Sequence, residues 1–217
     1  MDLFMKHSKK ILISSCVYGN RVRWNGSNRR SQEIHDWAEA NGFELIPVCP
    51  EHELFGTPRK PIRLRQKDDE VLGIMGNQEV FGQLKNKCNE IAERYSNVVG
   101  FIGISNSPSC GLSTGVKDRG STIKAPMHQS LGCPTTEISS MNTEANRNTF
   151  LKRVRKYEND KKIKKLHDVA VLRGSSTYQD PETGFLVMTS QYLSSKGSCC
   201  ETGCRHCPWG KVRKNGK

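Results

Sequence analysis

Residues 10–26 read KILISSCVYGNRVRWNG, residues 42–59 read GFELIPVCPEHELFGTPR, and residues 98–111 read VVGFIGISNSPSCG. In each, a short aliphatic run gives way to a turn rich in Gly, Pro, Ser or Asn, the pattern of a buried strand running into a loop. At each exit stands a cysteine: Cys16, Cys49 and Cys110. Between the first two runs, SQEIHDWAEANG puts Ile34, Trp37 and Ala38 on one helical face and stops at Gly42. Between the second and third, NQEVFGQLKNKCNEIAERYSN turns Val80, Leu84, Cys88, Ile91 and Tyr95 to one side of a longer helix. The segment HQSLGCPTTEISS predicts a helix end at Gly132 and a last short strand. This βαβαβ order predicts an α/β fold: an open, doubly wound, mostly parallel sheet with Rossmann-like or flavodoxin-like layering and right-handed crossovers. In such a sheet the loops at the carboxyl ends of the strands form the binding crevice, so the three cysteines converge despite their distance in sequence. Three converging thiolates make a metal or iron–sulfur site. The Pro- and Arg-rich segment from Pro50 to about Lys67 reads as a long loop covering that site, and a glycine-rich stretch runs from Gly111 to about Thr122.

The composition frames the site. At 217 residues and 24.4 kDa the chain can bury one ordinary core plus an appendage. Mean hydropathy is -0.65, and no apolar run approaches the roughly 18 residues of a membrane span. The start, MDLFMKHSKKILISSC, is too soon interrupted by polar residues for a signal peptide. Nine cysteines without an export signal argue for reduced thiols in a cytoplasmic protein rather than a disulfide framework.

Charge divides the chain. Residues 1–146 carry net +2 and residues 147–217 net +10, of the +12 total. The expected organisation is a domain over 1–146, a basic helical linker over 147–170 and a small cysteine-rich module over 171–217. The run KRVRKYENDKKIKK contains Lys152, Arg153, Arg155, Lys161, Lys162, Lys164 and Lys165, and the chain closes on KVRKNGK. Such a stripe fits a polyanion such as tRNA; the plainer reading is a solvated helix face. The basic helix is expected over roughly Glu144 to His167. Beyond it, Asp180-Pro181-Glu182-Thr183-Gly184 followed by FLVMTSQYL predicts a small hairpin. The module then packs Cys199, Cys200, Cys204 and Cys207 into nine residues, with His206 among them. The spacing Cys204-x-x-Cys207 is that of a metal knuckle, and Cys199 or Cys200 with one further ligand would complete a tetrahedral zinc site. Adjacent cysteines serve one small ion with difficulty, which leaves His206 or a residue outside the run as the alternative fourth ligand. A second redox centre or simple thiol packing are the other readings.

The blocks SSCVYGNRVRWNG, VCPE with GTPR following, and SPSCG, together with TTE at Thr135 to Glu137, resemble the thiouracil desulfidase (TudS) family over nearly all of residues 9–146. The three blocks stand in family order, which makes the match more specific than any one of them. VYG departs from the more aliphatic sequence usual after the first cysteine. The tail from YQDPETG through CCETGCRHCPWG resembles a small cysteine-rich domain of unknown function. The first resemblance implies a [4Fe-4S] cluster on Cys16, Cys49 and Cys110 whose fourth iron is left for the sulfur of a thiolated pyrimidine, with a glutamate and a serine beside the cysteines doing the acid–base work. Glu51 is the matching glutamate; Ser109 and Ser107 are both candidates for the serine. The implied partner is a small thiolated base or nucleoside, with 4-thiouridine in tRNA as the alternative that the basic tail would serve.

The residues agree with that chemistry. An iron lacking a protein thiolate is an open Lewis acid, and a thiocarbonyl sulfur is soft enough to suit it. Glu51 could activate water or carry its proton, and Ser107 or Ser109 could donate to a developing anion. Each has a duller reading: the cysteines as small buried hydrophobes, Glu51 as a turn cap or the partner of Arg59, and the serines as local turn formers. Trp24 and Tyr18 could stack on a pyrimidine or simply pack. Cys88, on a helix's inner face, and Cys133, before a proline, read as structural. A phosphatase-like Cys loop would want arginine six positions after Cys16, where Val22 stands, and no G-x-G-x-x-G follows the first strand. The non-enzymatic rival is an RNA-binding protein with a structural metal.

Overall fold

The computed structural model describes residues 9–68, 70–112, 114–116 and 122–210. The closing KVRKNGK and part of the glycine-rich stretch after Gly111 lie outside the described residues. The chain forms two compact units, 1–154 and 155–217.

In the first unit, β1 (Lys9–Ser14) runs into a single turn, α1 (Ser15–Tyr18), then α2 (Gln32–Ala40), β2 (Phe43–Val48) and α3 (Pro50–Phe55). An antiparallel meander follows: β3 (Ile62–Lys67), β4 (Glu70–Met75) and β5 (Gln78–Glu79). Next come α4 (Phe81–Arg94), β6 (Gly100–Gly103), the short pair β7 (Thr114–Gly115) and β8 (Thr122–Ile123), α5 (Pro126–Ser130), β9 (Thr135–Glu137) and the start of α6 (Glu144–Leu172). The second unit holds the rest of α6, the hairpin β10 (Thr177–Gln179) and β11 (Leu186–Met188), and α7 (Ser190–Ser195).

The central sheet has order β2-β1-β6-β9 and is parallel throughout. Because strand side chains alternate faces, Ile11 and Ile13 point to one side and Leu12 to the other. On the first side they meet Ile34, Trp37 and Ala38 of α2 and Phe150, Leu151 and Val154 of α6. On the second, Leu12 and Phe101 pack with Cys88 and Ile91 of α4 and Met127 of α5. Helices on both faces make the sheet doubly wound. Ile11, Leu12, Ile13, Phe101 and Ile102 are fully buried, each stabilising the fold by about 1.5–3 kcal/mol relative to exposure, so a one-residue slip of β1 is strongly disfavoured.

The segment after Cys49 is not the long loop its composition suggests. Pro50, with φ preset for a first helical position, opens α3, and Ile62 and Leu64 alternate with exposed Arg63 and Arg65 along β3. The arginines masked an alternation that becomes a strand only because β4 pairs with it from Lys67↔Glu70 to Ile62↔Met75. Likewise α4 begins at Phe81, not at Asn77, because Gln78 and Glu79 close the meander. The basic helix runs on through HDVAVL to Leu172. The hairpin turns at Asp180, whose carboxylate accepts from the backbone N–H groups of Glu182 (2.8 Å) and Thr183 (3.2 Å), which holds it below the usual carboxylate range. Among the described residues no helix is long and apolar enough to cross a membrane.

A candidate active site at the strand ends

The parallel sheet delivers three cysteines to one end of the first unit. Cys16 lies in α1, directly after β1. Cys49 follows β2 and caps α3, its Sγ accepting from the His52 N–H at 3.4 Å. Cys110 lies in the loop after β6, which must fold back tightly over the strand end. A Cβ on Gly103 would fall on the Cys110 carbonyl, and one on Gly111 would meet the Thr114 hydroxyl, so a larger residue at either position would force its neighbours to shift. The loop is then tied from several sides. His128 Nε2 donates to the Cys110 carbonyl at 2.8 Å, the Met127 N–H to the Ser109 carbonyl at 3.1 Å, and Thr114 Oγ1 to the Ser107 carbonyl at 2.7 Å. Glu137, at the end of β9, accepts from the Leu112 N–H at 2.9 Å. Burial lowers the pKa of His128 and favours its neutral form.

The three thiols line one cavity of about 250 Å³, together with Glu51, Ser107, Ser109, Arg59 and Trp24. Glu51, on α3, is held at both oxygens. Oε1 accepts from Ser109 Oγ at 2.8 Å and Ser107 Oγ at 3.1 Å; Oε2 accepts from Arg59 Nη2 at 2.8 Å. Arg59 Nη1 reaches the carbonyls of Val22 (2.9 Å) and Gly56 (3.0 Å), which stitches the wall of the cavity together. The Ser107 hydroxyl also accepts from the Cys110 N–H at 3.1 Å, and the Ser109 hydroxyl lies 3.4 Å from Cys110 Sγ. Trp24 is 45% exposed at the cavity's edge.

Burial keeps these three sulfurs in their protonated thiol form. Burial pushes the Cys16 thiol up to about 11 and those of Cys49 and Cys110 up to about 12. Cys49 adds to the rise at Cys16, and Cys110 to that at Cys49, whereas Ser109 and Ser14 pull Cys110 the other way. A bound metal would deprotonate such thiols outright and stabilise the crowded thiolates that result. Among the described residues no three His, Cys, Asp or Glu side chains close on one point as the ligands of a single ion do. Thiols spaced around a cavity instead suit a multinuclear cluster in which each takes its own iron.

Glu51 pairs with Arg59, and both side chains line the cavity. Tyr18 is not in that wall; its ring packs on His35 with centroids 4.8 Å apart. Cys88 is buried in the core beside Ile91, and Cys133 packs at the edge of the same core. Sequence reasoning gave no role to His128, and it placed Arg59 only as an ordinary partner. The Arg of GTPR, so close after Glu51, was the available signal; nothing near His128 announced its contact with Cys110. Lys152, Arg153, Arg155, Lys161, Lys162, Lys164 and Lys165 are all exposed on α6, where Arg153 reaches the Thr135 carbonyl and Lys161 lies over the Tyr157 ring. In the second unit, His206 stacks on His167 with centroids 3.9 Å apart and sits 2.7 Å from Tyr178 Oη, where burial lowers it to about 4. Cys199, Cys200, Cys204 and Cys207 line a separate small cavity of that unit. No disulfide joins any of the nine cysteines.

Comparison with known proteins adds four findings. A family model described as 2-thiouracil desulfurase matches residues 11–159, and one described as a family of unknown function (DUF5522) matches residues 166–213. Uncharacterized protein YbbK of Bacillus subtilis (strain 168) is 27% identical over 156 residues, covering 61% of this chain and 97% of YbbK. A solved structure of the [4Fe-4S]-dependent thiouracil desulfidase TudS is similar at a TM-score of 0.48 and 18% identity, over 61% of this chain and 93% of that one.

Proposed function

Because this chain belongs to the 2-thiouracil desulfurase family, we propose that it removes sulfur from a small thiolated pyrimidine, base or nucleoside, in the cavity ringed by Cys16, Cys49 and Cys110. The observation that carries the reading is the convergence, on that one cavity, of three thiols, a fixed carboxylate and two hydroxyls. The resident cofactor is a [4Fe-4S] cluster held by the three cysteines. When bound, such a cluster supplies one iron without a protein thiolate, a Lewis acid soft enough for a thiocarbonyl sulfur.

The chain's own groups do the rest. The net change is hydrolytic: a C=S carbon and one water become C=O and hydrogen sulfide, with no electron supplied. Glu51 keeps lone-pair sites beyond those taken by Arg59, Ser107 and Ser109, so it accepts a proton from the attacking water. The Ser109 hydroxyl, within reach of both Glu51 Oε1 and Cys110 Sγ, passes that proton toward the departing sulfur. Ser107 holds the Cys110 backbone and the carboxylate in register. Trp24 offers its exposed face to the pyrimidine ring.

Anaerobic preparation with iron and sulfide analysis tests the reading. About four irons per chain are expected, lost on Cys→Ala change at Cys16, Cys49 or Cys110 and kept in Cys88→Ala. Glu51→Gln keeps the iron but slows conversion of thiouracil to uracil by about 100-fold or more. Undiminished activity in iron-free protein, or Glu51→Gln turning over as fast as the parent, would refute it.

A further inference from the structure

The second unit has little apolar material to hold it. Its core consists of Ile163, Ala170 and Tyr178 with Leu166 and Val187 against them, and Phe185, Leu186 and Met188 are exposed. Below about 70–80 residues a core of ordinary size rarely supplies more than 3–5 kcal/mol, and natural modules of this size add a staple. No disulfide serves here.

Four thiols stand where such a staple belongs. Positive φ at Glu201 (61°) and Gly203 (75°) folds the segment back on itself, so that its cysteines meet as nested pairs. Cys199 Sγ lies 3.7 Å from Cys207 Sγ, and Cys200 Sγ lies 3.8 Å from Cys204 Sγ. Two thiolates bound at 2.3 Å to one tetrahedral ion are about 3.8 Å apart, so each pair is already at the edge length of a zinc tetrahedron. Both pairs line one cavity of about 30 Å³, closed by Leu193 and Trp209. The sulfurs stand as two pairs rather than as one closed set among the described residues, so a shared ion requires the two pairs to draw together by side-chain rotation within the turn. The Glu201 N–H already donates to Cys199 Sγ at 3.4 Å, the kind of bond that supports a metal-bound thiolate. His206, the alternative ligand, is instead engaged with Tyr178 and His167.

We propose that Cys199, Cys200, Cys204 and Cys207 hold one structural zinc ion. Adjacent cysteines serve the same ion because each is paired across the turn with a different partner. Four thiols lose their protons on binding, which leaves a site of net charge −2.

Zinc analysis of the full-length protein tests this independently of the first unit. About one zinc per chain is expected, retained in Cys16→Ser and lost in the double variant Cys204→Ser/Cys207→Ser. Should that double variant fail to fold, two measurements on the unaltered chain decide. Cobalt(II) should give the intense visible bands of a tetrahedral thiolate complex, bleached by one equivalent of zinc. Zinc should also slow alkylation of Cys199, Cys200, Cys204 and Cys207, mapped by peptide mass, by at least tenfold. Zinc that disappears with Cys16→Ser, a six-coordinate cobalt spectrum, unprotected cysteines, or iron and sulfide at these four positions would each overturn the proposal.

Discussion

Replacing Arg59 by leucine isolates how the wall of the cavity is held. The Arg59 and Glu51 side chains are 5% and 12% exposed, and their ion pair is 2.8 Å long. Removing the cation leaves a buried carboxylate without its countercharge, a loss of about 3–5 kcal/mol in comparable buried pairs. Ser107 and Ser109 still donate to the other carboxylate oxygen, which places the cost at the lower end, roughly 3 kcal/mol. The carbonyls of Val22 and Gly56 also lose a charged donor, at about 1 kcal/mol each. The sum is roughly 5 kcal/mol, and at about 2–4 °C per kcal/mol for a unit of this size the Tm falls by about 10–20 °C. The double variant Glu51→Gln/Arg59→Leu removes the stranded charge but not the carbonyl losses. It should therefore be more stable than Arg59→Leu alone by about 2 kcal/mol. Urea unfolding of the parent, both single variants and the double at pH 7 gives all four corners of the cycle. Additivity of the two single changes within about 0.5 kcal/mol would refute the reasoning, because it would mean that the carboxylate does not depend on the guanidinium.

Gly103→Ala should cost about 1–3 kcal/mol by overpacking against the Cys110 carbonyl and lower iron content per chain while the far-ultraviolet circular dichroism is kept; unchanged iron would mean the Cys110 loop tolerates displacement. Ser107→Ala and Ser109→Ala should separate: the first lowers iron content because the Cys110 N–H loses its acceptor, whereas the second keeps the iron and lowers kcat. His128 is lowered in the folded state from its ordinary value of 6.5, so its contribution to stability is complete above that pH and is lost as pH falls below it. Urea midpoints at pH 7 and pH 5 should therefore differ more for the parent than for His128→Gln; equal differences would remove the histidine from the account.

The chain's three strand runs, two helical faces and strand-end cysteines were legible because periodicity and turn residues are local, and a parallel sheet gathers its carboxyl ends whatever the loop lengths. SQEIHDWAEANG became α2 with Ile34, Trp37 and Ala38 buried, as its spacing requires. Only tertiary structure decided the segment from Pro50 to Met75. There the alternation of Ile62 and Leu64 with arginines is too weak to read as a strand until β4 supplies its hydrogen bonds, and Arg59 has no evident purpose until Glu51 is beside it. The same holds for His128, whose partner is a backbone carbonyl eighteen positions away that no side-chain pattern records. Sequence named the cysteines of the last module, but which thiol faces which was set by left-handed backbone at Glu201 and Gly203, a conformation that non-glycine residues adopt only when their surroundings impose it.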